Sequence, residues 1–135
     1  MSVMTIALVT LVVPEYDAGI AFYVGRLGFE LIEDTDMGGG KRWVVVSAGH
    51  NGTEGANLLL AQASNDAQRA AIGNQTGGRV GFFLETTDFA GTHARLCAAG
   101  VKFHEQPRHE SYGSVAVLSD PFGNRWDLLE RKEAA

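Results

Sequence analysis

The order of strand, helix and loop signals in this chain occurs twice, and no other feature of the sequence restricts its fold as much. Shifting the sequence by 72 residues places Ala18, Gly19, Gly28, Glu33, Val45 and Ser47 on Ala90, Gly91, Gly100, Glu105, Val117 and Ser119 without a gap. The boundaries coincide as well. In the first pass, Ile6–Val13 is a β-branched run stopped by Pro14. EYDAGIAFYVGRLG then reads as a helix with Ile20, Tyr23, Val24 and Leu27 on one apolar stripe and Gly28 as its stop. FELIEDTD, RWVVVS and NLLLAQ follow as strands, joined by the glycine-rich MGGGK and the polar loop AGHNGTEG. In the second pass, RVGFFLETT is a strand and DFAGTHARLCAAG a helix ending at Gly100. VKFHE, SVAVLS and NRWDLLE are strands, with QPRHESYG as a loop and DPFG as a turn. Residues 63–78 hold a short polar linker helix that stops at Gly73. The expectation is one α+β domain over 1–135, made of two βαβββ modules at 4–62 and 79–131.

The bulk properties narrow the function. A net charge of −5 leaves no basic footprint for nucleic acid or an anionic membrane. No apolar run reaches the length of a membrane span. The opening MSVMTIALVTLVVPEY lacks the basic residues and cleavage site of a signal peptide, and reads as a strand. Cys97 is the only cysteine, so no disulfide framework exists, which suits a reducing cytoplasm. Leu96 and Ala98 flank it in a helical pattern, and it is expected to be a buried thiol.

The residues TLVVPEYDAGIAFYVGRLGFEL, RVGFFLETTDFAGTHARLCAAGVKF and the closing DPFGNRWDLLE resemble the glyoxalase / bleomycin-resistance / extradiol-dioxygenase proteins, the vicinal oxygen chelate superfamily. The resemblance covers nearly the whole chain. It implies a half-open cup curled from the strands of each module, commonly completed in a homodimer. Members include isomerases, lyases, dioxygenases and proteins that only sequester a drug, so the fold alone does not name the activity. In the metal enzymes, His, Gln or Glu ligands come from the first and fourth strands of both modules. Carried onto this chain, those places hold Leu8, Gly81, Asn57 (or Leu59 in a shifted register) and Asp127. One carboxylate and one amide do not make a divalent-metal site, so no metal or other cofactor is expected. The histidines, His50, His93, His104 and His109, stand at none of these places.

Alternation decides which side chains share the cup face with the ligand places. Thr10 goes with Leu8, Phe83 and Glu85 with Gly81, and Arg125 with Asp127. The resemblance and the repeat add Trp43 and Val45, with Val115 and Val117 as their equivalents. Such a lining, largely apolar with an indole and a phenyl ring, suits an organic ligand. The loop carrying Arg108, His109, Glu110 and Tyr112 and the hairpin MGGGKR, which correspond under the repeat, are both expected to rim a cup mouth. The leading expectation is a cytoplasmic protein binding a small apolar or aromatic molecule without a metal. One alternative is a metal-independent isomerase, lyase or hydrolase using Glu85 or Asp127 as general acid/base. The other is a divalent-metal enzyme of glyoxalase or dioxygenase type. A structural ion pair between Arg125 and Asp127 is the non-catalytic reading of that carboxylate.

Overall fold

The computed structural model describes residues 2–49, 52 and 55–132. The chain divides into two compact units, the first up to Ile72 and the second from Gly73.

The first unit carries β1 (Leu8–Val13), α1 (Tyr16–Ile20), β2 (Glu30–Gly38), β3 (Lys41–Ser47), β4 (Asn57–Gln62) and α2 (Asp66–Ala71). Its sheet runs β1-β4-β3-β2, with β1 parallel to β4 and the other pairs antiparallel. Leu11, Val13, Val44, Val46 and Leu60 alternate onto one face and are fully buried there. The helical segment covers that face, bringing Tyr23, Phe22 and Leu27 into the core. The rings of Phe22 and Tyr23 meet edge to face at 4.9 Å. Gly19 is where helix and sheet approach most closely, since a Cβ there would sit 3.1 Å from Leu60 Cδ1 and 3.2 Å from Val13 Cγ1.

The helix differs from the regular one expected. After Ile20 the chain forms a π-helical turn over Ala21–Arg26, with Leu27 N–H donating to Phe22 O, before Gly28 ends it at a φ of 85°. The wider turn rotates the stripe, so Phe22 is buried while Ile20 and Val24 are only half-buried. The first strand is also shorter than expected, starting at Leu8, and Ile6 is exposed.

The second unit carries β5 (Phe82–Glu85), α3 (Phe89–Ala98), β6 (Lys102–Phe103), β7 (Arg108–Glu110), β8 (Gly113–Ser119) and β9 (Arg125–Arg131). Its sheet runs β5-β9-β8-β6, with β7 also on β8, and β5 parallel to β9. The strand order of the first unit is thus reproduced, and the fold is α+β with two mixed sheets. Ala116, Leu118, Trp126 and Leu128 form the buried face, where Trp126 stacks on Phe82 at 4.6 Å. The start of α3 is capped twice. Asp88 accepts from Gly91 N–H, and Glu130 of β9 accepts from Phe89 N–H at 2.7 Å. Between β8 and β9, the buried Asp120 carboxylate ties the turn together, accepting from Phe122 N–H, Asn124 N–H and the Asn124 side chain.

Two expectations fail in this unit. Cys97 is exposed, because Phe89 and Leu96 hold the buried stripe of α3 and Cys97 falls beyond it, beside His93. Arg108–Glu110 is a strand rather than loop, since its residues pair with β8 in register from Arg108 opposite Val115 to Glu110 opposite Gly113. Gly113 makes that tight hairpin possible. Its φ is 149°, and a Cβ there would collide with Glu130 O.

Candidate functional site

Register identifies the row of each sheet that faces away from the helices. In the first unit, Leu59 pairs with Thr10 on one side and Val45 on the other. In the second, Asp127 pairs with Phe83 and Val117. Two residues earlier on the same face, Asn57 lies opposite Leu8, and Arg125 lies opposite Ser119 and accepts a hydrogen bond at its backbone carbonyl from Gly81 N–H. The alternation read from the sequence therefore puts Leu8, Thr10, Asn57 and Leu59 on one sheet face, with Gly81, Phe83, Arg125 and Asp127 on the equivalent face of the other.

The first unit turns part of this face into a cleft of about 450 Å³. Thr10, Trp43 and Leu59 line it as expected, as do Lys41 and Arg42 of the MGGGKR hairpin, together with Tyr16 and Gln68, which sequence reasoning missed. Val45 shares the row but is almost wholly buried. Leu8 and Asn57 lie toward the other end, and Asn57 borders a separate hollow of about 620 Å³ with Ile6 and Gly55. The cleft lies at strand ends, where β3 begins, β4 finishes and α1 starts. Alternation loses its hold there, which is why neighbours such as Arg42 and Trp43 both reach it. The one local signal was the polar Lys41-Arg42 pair beside the glycine run.

Arg42 is fixed at the rim by three hydrogen bonds. Its Nη2 and Nε donate to the two carboxylate oxygens of Asp34 at 2.7 and 3.1 Å, and Nη1 donates to Asp17 at 2.8 Å. Its guanidinium also lies 5.3 Å from the centroid of the Tyr16 ring. The hydrogen bond from Arg42 holds the Asp34 carboxyl below its ordinary range, and Asp34 and Asp17 in turn raise Arg42 further above its own. The result is an edge at which the one guanidinium is shared between two carboxylates.

In the second unit the central group is Asp127. Its Oδ1 is buried and has no hydrogen-bond partner. Burial pushes the carboxyl above its ordinary value, the positive charge of Arg108 opposes this, and Glu105 adds to it. No ion pair joins it to the exposed Arg125. Arg108 is instead held by Glu105, with Nε 3.0 Å from both carboxylate oxygens, while Glu105 Oε1 also accepts from Val117 N–H. Glu85, the other candidate acid/base, is half exposed and ion-paired to Arg131. Phe83 is 64% exposed beside Asp127 and Tyr112 is exposed at the β7–β8 turn, while Val115 is buried and Val117 half-buried. His109 shares a hydrogen bond with Ser114, and His104 with Ser119. His50 lies outside the described residues.

The donor set does not fit a catalytic divalent metal. Leu8, Leu59 and Gly81 offer no ligand atoms, and among the described residues no three His, Cys, Asp or Glu side chains gather as a metal site. Among those residues, no helix is long and apolar enough to cross a membrane.

Comparison with known proteins agrees with this architecture. A protein of Shewanella frigidimarina (strain NCIMB 400) is 50% identical over 123 residues, which is 90% of each chain. The crystal structure of UcmS2 matches with a TM-score of 0.79 and 27% identity, over 96% of this chain and 98% of that one. TnmS3, an antibiotic binding protein from Streptomyces sp. CB03234, matches with a TM-score of 0.74 and 27% identity, over 98% and 99% of the two chains. The family model described as Glyoxalase/Bleomycin resistance protein/Dioxygenase superfamily matches residues 5–128, and the chain belongs to that superfamily.

Proposed function

We propose that this protein binds a small organic molecule of aromatic or largely apolar character, and does so without a metal. The observation that carries the reading is the cleft bounded by Tyr16, Trp43 and Leu59, whose lining also includes the polar side chains of Thr10, Gln62 and Gln68. Its volume of about 450 Å³ falls in the range of organic-ligand sites. The absence of donor atoms at Leu8, Leu59 and Gly81 supports binding that relies on ring stacking and shape. The likeness to TnmS3, an antibiotic binding protein, points the same way. The protein is read as cytoplasmic and as a homodimer.

Trp43 supplies the test. Titration with a panel of polycyclic aromatic compounds, antibiotics among them, is expected to change the tryptophan fluorescence, and Trp43→Phe is expected to abolish the change. Trp126 is 4% exposed under the Phe82 ring and serves as the constant background. A panel with no response in fluorescence or calorimetry would overturn the reading.

Asp127 favours a second reading, a metal-independent isomerase, lyase or hydrolase. A carboxyl with a buried unpartnered oxygen and a raised pKa has the character of a general acid/base. Turnover of a bound ligand that is lost in Asp127→Asn, with binding retained, would establish this reading over simple sequestration.

A further inference from the structure

The cleft of the first unit has an uneven distribution of charge. No aspartate or glutamate lines it. Its charged lining consists of Lys41 and Arg42, adjacent in the chain beside the turn of the β2–β3 hairpin. Arg42 is committed to two carboxylates, Asp34 taking two of its N–H groups and Asp17 a third, so it is not available to a ligand's anionic group. Lys41 forms no ion pair among the described residues. Two of the hairpin's acidic side chains, Asp34 and Asp36, border an adjoining hollow that shares Gly39, Gly40 and Arg42 with the cleft. Asp36 is further occupied in accepting from Gly38 N–H at 2.8 Å.

A second donor stands on the opposite wall. Gln68 uses its carbonyl oxygen twice, accepting from Ser64 N–H at 2.7 Å and from the Ser64 hydroxyl at 2.9 Å. That leaves its amide N–H groups as donors. Lys41 directly follows a run of three glycines. Gly38, Gly39 and Gly40 hold φ values of 83°, 65° and 84°, and a Cβ on any of them would meet open space. Glycine is used there for backbone freedom rather than for want of room. The Lys41 ammonium sits on a flexible four-carbon stem and can follow ligands of different length.

We infer that the cleft selects aromatic molecules bearing a carboxylate or similar anionic group, with Lys41 as the charge partner and the Gln68 amide as the second donor. This rests on the reading of the cleft as an aromatic-ligand site. The net charge of −5 does not forbid it, because at physiological salt charges more than about 8 Å away are largely screened and the nearest uncompensated charge decides.

Three probes of one shape test the inference: naphthoate, its neutral amide, and naphthylmethylamine, each titrated against the intact protein by Trp43 fluorescence and calorimetry. Naphthoate is expected to bind roughly twofold to fivefold more tightly than the amide, the range of a partly exposed charge pair, and the amine more weakly than either. Lys41→Glu is expected to invert the order of acid and amine, and its binding of the amine would itself show that the variant is folded. Equal binding of all three by the native protein, or an order unchanged in Lys41→Glu, would overturn the selectivity while leaving the aromatic site standing. If none of the three bound, the aromatic-site reading would fall and this inference with it.

Discussion

Leu59 and Asp127 hold the same place in two sheets of the same strand order. Leu59 is paired to Thr10 and Val45, and Asp127 to Phe83 and Val117, with Val45 and Val117 matched by the sequence repeat. One repeat fills the place with an isobutyl group and the other with a carboxylate whose Oδ1 is buried and unpartnered. An unsatisfied buried acceptor destabilises the native state. Asp127→Leu, which copies the first repeat into the second, is therefore expected to raise stability by about 1 kcal/mol at neutral pH. Urea denaturation measures this, and a loss of stability would make Asp127 a structural residue.

The same carboxyl makes stability depend on pH with a definite sign. Burial raises its folded-state pKa above that of the unfolded chain. Below the unfolded value, about 3.9, both states hold the proton and no penalty exists. As pH climbs from there to the folded pKa, the native state ionises late and stability falls; above the folded pKa the loss is constant. The stability of Asp127→Asn minus that of the native protein is expected to rise with pH from about pH 4 and then level off. A difference that stays flat across the acid range would show that Asp127 titrates normally.

Arg42 links β3 to β2 through Asp34 and to the start of α1 through Asp17. Arg42→Ala is expected to leave the global unfolding transition in place but to speed amide exchange in β2–β3 from Asp34 to Trp43. It should also weaken aromatic ligands, since the Tyr16 wall loses the cation stacked against it. Unchanged exchange in that hairpin would show that the glycine turn holds itself without the arginine.

Met4 and Ile6 of the first unit and Phe83 and Tyr112 of the second are large apolar residues left mostly exposed. Covering such residues is the physical motive for the homodimer read from the sequence. Light scattering at micromolar concentration is expected to give twice the 14.4 kDa of the chain. A mass of one chain, with Phe83→Ser unaltered in solubility, would refute the pairing.

Local rules in the sequence settled the faces. Period-two alternation put Trp126 and Leu128 into the core, 4% and 0% exposed, and turned Asp127 the other way. The 72-residue repeat carried that assignment from one sheet to the other, because strand order follows from where strands, helix and turns succeed one another. Gly28 and Gly100 ended their helices for the same local reason, each at a φ of +80° or more that other residues avoid, 85° and 83°. Tertiary structure decided what no period encodes. One wider turn after Ile20 exchanged Ile20 for Phe22 in the core, and cross-strand pairing to β8 made a strand of Arg108–Glu110. The cleft belongs to this second kind. Tyr16, Arg42 and Gln68 are far apart in sequence and meet where a helix start, a hairpin turn and a second helix converge on strand ends. Alternation fixes the direction of a side chain within a strand, but the neighbours of a strand's end are set by how the elements pack.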